Sequence, residues 1–267
     1  MPNISLGGHF KVLKMDGFSK SNTHYLVIGN GLMAKHFMHY LSLLNVPFKH
    51  WHRTKGIEDL YLLLPTATHV LFLIKDDAID NFIEVNCLNY KTQNQLYVHF
   101  SGALISSYAY TAHPLQTFAK TLYNIERYLD VPFAIEENTL SFNQLLPDIP
   151  NRHFTINTKD KPYYHALGAI ANNYTTLLWQ KYFNTLKTHF NIDPSMAIPL
   201  LEQTLINLKN DYKNALTGPI ARSDLKTISN HINALDSHQD NFTDIYKAFV
   251  ETHLNQTLLG QKGNECT

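Results

Sequence analysis

The chain is 267 residues long and 44% hydrophobic, with 22 Lys+Arg against 22 Asp+Glu and two cysteines. That length gives room for one or two buried cores, and the balanced charge offers no basic surplus for a nucleic-acid partner. No apolar run approaches the roughly 20 residues that span a bilayer, and two cysteines make neither a disulfide framework nor a metal cluster, so a reducing cytoplasm is the expected setting.

Residues 1–23 hold Gly7, Gly8, Lys11, Lys14 and Lys20 between short apolar pieces and read as an N-terminal extension without a signal core. Next comes the most informative stretch, Tyr25 to Ala34, where the apolar run Leu26, Val27, Ile28 enters a G-x-G-x-x-A turn. Met33, Phe37, Tyr40, Leu41 and Leu44 then recur at helical spacing, so the turn joins a buried strand to a helix. In that context Gly29 permits the tight turn, Gly31 lets backbone approach a diphosphate, and Ala34 allows close helix–strand packing. Gly29, Asn30, Gly31, Leu32, Met33 and Ala34 are therefore expected to bind a dinucleotide at the helix N-terminus, where unpaired N–H groups and the dipole favour anions.

The second strand candidate opens at Val46-Pro47-Phe48 and ends in Trp51-His52-Arg53-Thr54-Lys55. An NAD-preferring fold usually carries an acid there for the ribose 2′-hydroxyl, and this chain has none. Arg53 and Thr54 suit a 2′-phosphate instead, so NADP is favoured over NAD; the plainer alternative is a solvated basic turn.

Ile57 to Leu64 is a short amphipathic segment stopped by Pro65, and Thr68 to Ile74 is a continuous apolar run of the kind a doubly covered parallel strand displays. Ile74 and Lys75, at its end, are expected beside the cofactor, and Asp76 or Asp77 caps a helix carrying Ile79, Phe82, Ile83 and Val85. Leu96 to Phe100 is another strand, followed by strand candidates at Tyr110 to His113 and Val131 to Ile135, a helix over about 137–146, and a last strand at Arg152 to Asn157. This alternation predicts a mostly parallel sheet with its ligand at the carboxyl ends of the strands.

From Pro162 onward the pattern is helical. A long helix is expected over Tyr164 to Phe190, with Leu167, Ile170, Tyr174, Leu177 and Leu178 on one side; Asp193-Pro194 starts the next, Asp224 caps a third, and a last helix covers Phe242 to about Leu259. The chain thus divides into an extension (1–23), a dinucleotide-binding α/β domain of Rossmann type (24–158) and an all-α domain (159–267), with substrate expected in the cleft between the last two. Of the fifteen histidines, His36 and His39 share a helix and His50 and His52 a strand face, yet no acid or cysteine completes a ligand set, so no metal is expected.

Hydride transfer needs a group that gives or takes a proton beside the reacting carbon. His113, at a strand end and held by Pro114, is the first candidate, against the alternative of a core histidine bonded to a carbonyl; Ser101 is placed to hydrogen-bond it or the substrate oxygen, and to sit beside the cofactor. Arg222 could anchor a substrate anion together with Thr217, although Gly218-Pro219 and Asp224 have a sufficient structural reading as helix breaker and cap.

Three further segments, His99-Phe100-Ser101-Gly102-Ala103, His113 to Phe118 and Leu216 to Asp224, join the glycine turn and Tyr164-His165 ahead of Asn172-Asn173. In this order they resemble the family of Rossmann-like oxidoreductases with a DUF2520 C-terminal domain, from Tyr25 to about Leu259. The chain departs from the pattern at Ser223, where glycine is expected, and at Lys75, where a proline or apolar residue is common. The resemblance implies an NADP-linked reductase or dehydrogenase related to pyrroline-carboxylate and prephenate-type enzymes, a homodimer through the helical half, and no particular substrate. By analogy with prephenate dehydrogenases it gives Ser101 and His113 roles in substrate oxidation, and it makes Asn173 a catalytic candidate presented toward the nicotinamide from the first long helix. A non-catalytic NADP(H) sensor is the alternative of a different class.

Overall fold

A computed structural model describes residues 22–263, so most of the expected extension lies outside the described residues. Among them, one compact unit ends at Leu178 and a second begins at Trp179.

The first unit is built on a seven-stranded sheet. β1 (Tyr25–Ile28), β2 (Phe48–Trp51), β3 (His69–Phe72), β4 (Leu96–His99), β5 (Tyr110–Pro114), β6 (Phe133–Glu136) and β7 (His153–Ile156) lie in the order β2-β1-β3-β4-β5-β6-β7. β1 to β5 are mutually parallel; β6 is antiparallel to β5, and β7 runs parallel to β6. The sheet is mostly parallel, as the alternation predicts. Its reversal at β6 has no periodicity signal, because hydrophobic spacing does not encode strand direction.

Helices cover both faces, which explains why the central strands read as unbroken apolar runs. Tyr25, Val27, Leu71 and Val98 pack with Ala34, Phe37, Tyr40 and Leu41 of α1 (Leu32–Leu43) and, further along, with Tyr128 of α4 (Ile125–Leu129) and Phe142 and Leu145 of α5 (Phe142–Leu145). Leu26, Ile28, Val70, Phe72 and Tyr97 pack on the other face with Leu60 of α2 (Ile57–Leu63) and with Ile79 and Ile83 of α3 (Asp76–Asn86). Leu26, Val27 and Ile28 are fully buried, each stabilising the fold by about 1.5–3 kcal/mol.

Three expectations are corrected. The helix expected over 137–146 is only α5, because Asn138 turns the chain at φ 57° and Ser141 starts a new turn with a capping box to Gln144. The cap of α3 is Lys75 in extended conformation without a side-chain bond, so neither Asp76 nor Asp77 is the cap; both sit in its first turn. The helix expected over Tyr164 to Phe190 begins at α6 (Lys161–Ala169), passes through a π-helical segment (Ile170–Tyr174), and continues as α7 (Thr175–Thr188).

The second unit takes the end of α7, α8 (Ile198–Asp211), α9 (Gly218–Ala221), α10 (Leu225–Ser237) and α11 (Thr243–Gly263). Asp193 and Asp224 cap as expected, accepting from the N–H groups of Ser195 and Thr227. Lys181 pairs with Asp240 at 2.9 Å and lies 5.3 Å from the Phe242 ring. Most of the apolar periodicity is not buried within the chain: Leu205, Leu225 and Phe249 are each more than half exposed, and in the first unit so are Tyr174 and Leu177. No helix among the described residues is long and apolar enough to cross a membrane.

Candidate active site

Because β1 to β4 are parallel, the turns after Ile28, Trp51, Phe72 and His99 all open at one edge of the sheet. The first two form an anion-shaped corner. Gly29 has φ +129°, and a Cβ there would lie 2.2 Å from the Leu73 carbonyl oxygen, so only glycine fits between β1 and β3. Gly31 is the N-cap of α1, extended at φ −73°, with no side chain capping the helix and no acid in its first turn. A Cβ on Gly31 would meet nothing within 4 Å, so the helix N-terminus faces open space.

At the tip of β2, His50 bonds the Gly29 carbonyl through Nε2 at 2.7 Å, and Lys55 donates to the His50 carbonyl at 2.8 Å. Thr54 bonds His52 Nδ1 at 2.9 Å. Lys55 is therefore engaged by backbone, whereas Arg53 is exposed and makes no ion pair among the described residues. Ile74 packs near Gly29, and Lys75 is exposed at the start of α3.

The second part of the site lies beyond β4 and β5. His113, on β5, has its Nδ1 3.2 Å from the Tyr164 hydroxyl of α6, and its ring lies edge-on to His165 with centroids 5.7 Å apart. Gly102 makes room for both: a Cβ there would lie 2.5 Å from His165 Cδ2 and 2.9 Å from His113 Nε2. Burial, with electrostatic opposition from His165 and Lys161, pulls the His113 pKa down to about 4, so the ring is neutral at pH 7. Burial pushes the Tyr164 phenol up, keeping it protonated. His113, Tyr164 and His165 line a cavity of about 630 Å³ together with Gln116, Asn172 and Asn173.

Two sequence candidates fall together here, and Ser101 makes other bonds. Asn173 and His113 share the cavity wall, and Asn172 joins them, its amide donating to Asn173 Oδ1 at 2.9 Å. The π-helical turn carries both amides, a distortion frequent at functional sites. Ser101 is buried but has different partners from those expected: its Oγ donates to Asp76 Oδ2 at 2.5 Å and accepts from the N–H groups of Ala103 and Leu104. The hydroxyl thereby shapes the loop holding Gly102 and makes no bond to His113. Thr217 and Arg222 stand at the two ends of α9 in the second unit. Ser223 has φ 54°, in the left-handed region that favours glycine, which accounts for the glycine expected at that place.

Sequence reasoning missed the cluster beneath His113. Lys161, fully buried at the start of α6, donates to Glu136 Oε1 of β6 at 2.6 Å, to Thr111 Oγ1 of β5, and to the Leu104 carbonyl. Thr111 donates to Glu136 at 3.0 Å and bonds His99 Nε2 at 3.0 Å. The Ser101 N–H donates to His99 Nδ1, so the network assigns the ring proton to Nε2, and burial beside Lys161 pulls the His99 pKa down to about 3. One signal was available. A lysine in the first helical turn opposes the helix dipole and calls for a compensating acid.

Comparison with known proteins agrees with this architecture. Residues 131–253, from just before β6 to the middle of α11, match the model of DUF2520, a domain of unknown function. A candidate NADP oxidoreductase from Bacteroides fragilis superposes with a TM-score of 0.68 at 20% identity, covering 86% of this chain and 97% of that one. A protein of Thermotoga maritima has the same identity and coverage with a TM-score of 0.63. An imine reductase from Streptomyces aurantiacus gives 0.61 at 12% identity, covering 89% and 95%. At these identities the likeness is one of fold. No curated protein matches the sequence.

Proposed function

Since this chain is a Rossmann-like protein with a DUF2520 region, we propose that it is an NADP-dependent oxidoreductase interconverting a carbonyl or imine of a small metabolite with the alcohol or amine. The observation that carries the reading is the cavity wall on which a neutral His113 is hydrogen-bonded to Tyr164. The open, uncapped start of α1, with no side chain on Gly31 and no acid in the first turn, fits a diphosphate.

Gly29, Asn30, Gly31, Leu32, Met33 and Ala34 would hold the diphosphate, Arg53 and Thr54 the 2′-phosphate, and Ile74, Lys75 and the Ser101 turn the remainder of the nucleotide. When bound, NADP(H) exchanges a hydride with the reacting carbon. The protein's part is to manage the proton. When an alcohol is oxidised its proton passes to the Tyr164 oxygen as Tyr164 passes its own to Nδ1 of His113, unprotonated at neutral pH; in reduction the same relay runs backward, returning the proton from His113 through Tyr164. Gln116, Asn172 and Asn173 supply uncharged donors and acceptors to orient the substrate.

Titrating the protein with NADPH and NADH, then following nicotinamide absorbance across a panel of ketones, imines, alcohols and amines, tests the reading. NADPH is expected to bind more tightly, and Arg53→Ala to weaken NADPH far more than NADH. Binding without any turnover favours the sensor alternative, and failure to bind either nucleotide refutes both. The half-exposed apolar residues Leu177, Leu205 and Phe249 support a homodimer through the helices, which light scattering would contradict by reporting a monomer.

A further inference from the structure

Lys161 is the first residue of α6, and its ammonium uses all three of its protons on three different pieces of chain: the Leu104 carbonyl in the loop after β4, Thr111 Oγ1 on β5 and Glu136 on β6. As a source of stability this is a poor arrangement. A buried ion pair is commonly no better than apolar side chains of the same volume, and a cation at a helix N-terminus is disfavoured by the dipole. What the three bonds do supply is placement. They fix the rotation and the axial position of the first turn of α6 relative to two strands and a loop.

Tyr164 and His165 follow Lys161 by three and four residues, so they lie on the same helix face. Thr111 precedes His113 by two on β5, so those side chains also share a face. The bond from Lys161 to Thr111 thus ties together the two elements whose next functional residues meet, at Tyr164 and His113. We propose that Lys161 is a positioning residue: anchored to Leu104, Thr111 and Glu136, it sets α6 so that Tyr164 and His165 face His113 across the space left by Gly102. The inference rests on the reading of His113 and Tyr164 as the proton-handling pair. Around His113 the titratable and charged groups are Lys161, Tyr164 and His165 from α6, His99 from β4 and Glu136 from β6.

The test is made on the whole chain without added nucleotide, following histidine ring protons by NMR, with the His113 signals identified by their loss in His113→Gln. The double variant Lys161→Met/Glu136→Gln removes both buried charges together and leaves no uncompensated ion. Its His113 proton affinity is expected to rise at least roughly tenfold, and the contact between the His113 and Tyr164 rings to be lost. A folded double variant with both readouts unchanged overturns the proposal. Should that variant fail to fold, Thr111→Val removes one anchor alone; weakening of the His113–Tyr164 contact supports the proposal, and an unchanged contact overturns it. NADPH affinity of the unaltered protein is measured separately, so a protein that binds no nucleotide refutes the oxidoreductase reading without moving either NMR readout.

Discussion

Replacing Gly31 by alanine separates folding from nucleotide binding at a single methyl group. Gly31 lies at φ −73°, a conformation alanine adopts freely, and a Cβ there would touch nothing within 4 Å. Alanine as an N-cap costs a few tenths to about 1 kcal/mol relative to glycine, and the stiffer unfolded chain returns about 0.4–1 kcal/mol. The two nearly cancel, so Tm of the nucleotide-free protein is expected to stay within roughly 2 °C. The same methyl projects into the approach to the α1 N-terminus. Holding a diphosphate off by its radius forfeits about one to two charge-assisted bonds, worth about 1.5–3 kcal/mol each, so NADPH affinity is expected to fall about 100-fold. Thermal unfolding and a tryptophan fluorescence titration read the two effects independently. Gly29→Ala is the contrast: with φ +129° and a Cβ 2.2 Å from the Leu73 carbonyl oxygen, it should lose roughly 3 kcal/mol of stability before any ligand is added. If Gly31→Ala folds normally and binds NADPH as tightly as the unaltered protein, the diphosphate does not lie at this helix end.

Further outcomes follow from the His113 side of the site. Gly102→Ala places a methyl 2.9 Å from His113 Nε2 and 2.5 Å from the exposed His165 ring; His165 can swing away and His113 cannot without breaking its Tyr164 bond, so turnover should collapse while NADPH affinity persists. Equal losses in both would refute this. His99 and His113 have folded pKa values of about 3 and about 4 against an ordinary 6.5, so the unfolded chain binds more protons between those limits. Their contribution is complete above pH 6.5 and is lost as pH falls toward 3, each histidine adding up to about 1.4 kcal/mol per pH unit to the slope of stability measured by urea unfolding. A flat profile over that range would contradict the burial argument. Ser223→Gly relieves a left-handed serine and should stabilise the protein by about 0.5–1 kcal/mol in the same assay, after allowance for the freer unfolded chain; a destabilised variant would refute it.

Much of the scaffold was legible because its signals are local. The glycine turn, the apolar strands and the capping by Asp193 and Asp224 each depend on residues within one turn of each other, and each is found in place. His113 was legible through its strand-end position and Pro114, and Asn173 through its place in a family pattern. The partners of these residues were not. Tyr164 lies 51 residues from His113, and Lys161 lies 57, 50 and 25 residues from its three acceptors; no spacing rule spans such separations. Composition also misleads there, since lysine is almost never fully buried unless paired. The bond Ser101 makes was not legible for the same reason, its acceptor Asp76 being contributed by a helix 25 residues earlier. The π-helical turn escaped because one additional residue per turn is invisible to a 3.6-residue periodicity, although it is what brings Asn172 and Asn173 to one wall.

The reversed strand β6 has a consequence for how the sheet assembles. Its pairing with β5 sets Ala112 opposite Ile135 and His113 opposite Ala134, which in the same register brings Glu136 to Thr111. A slip of one residue that set Ile135 opposite Thr111 would turn Glu136 to the other side of the sheet and leave a buried ammonium facing a hydrophobic residue. An unpartnered charge in that position costs several kcal/mol, a large fraction of the total stability of an ordinary domain. A slipped sheet is therefore disfavoured thermodynamically, and the ion pair helps to specify the register in which β6 joins β5.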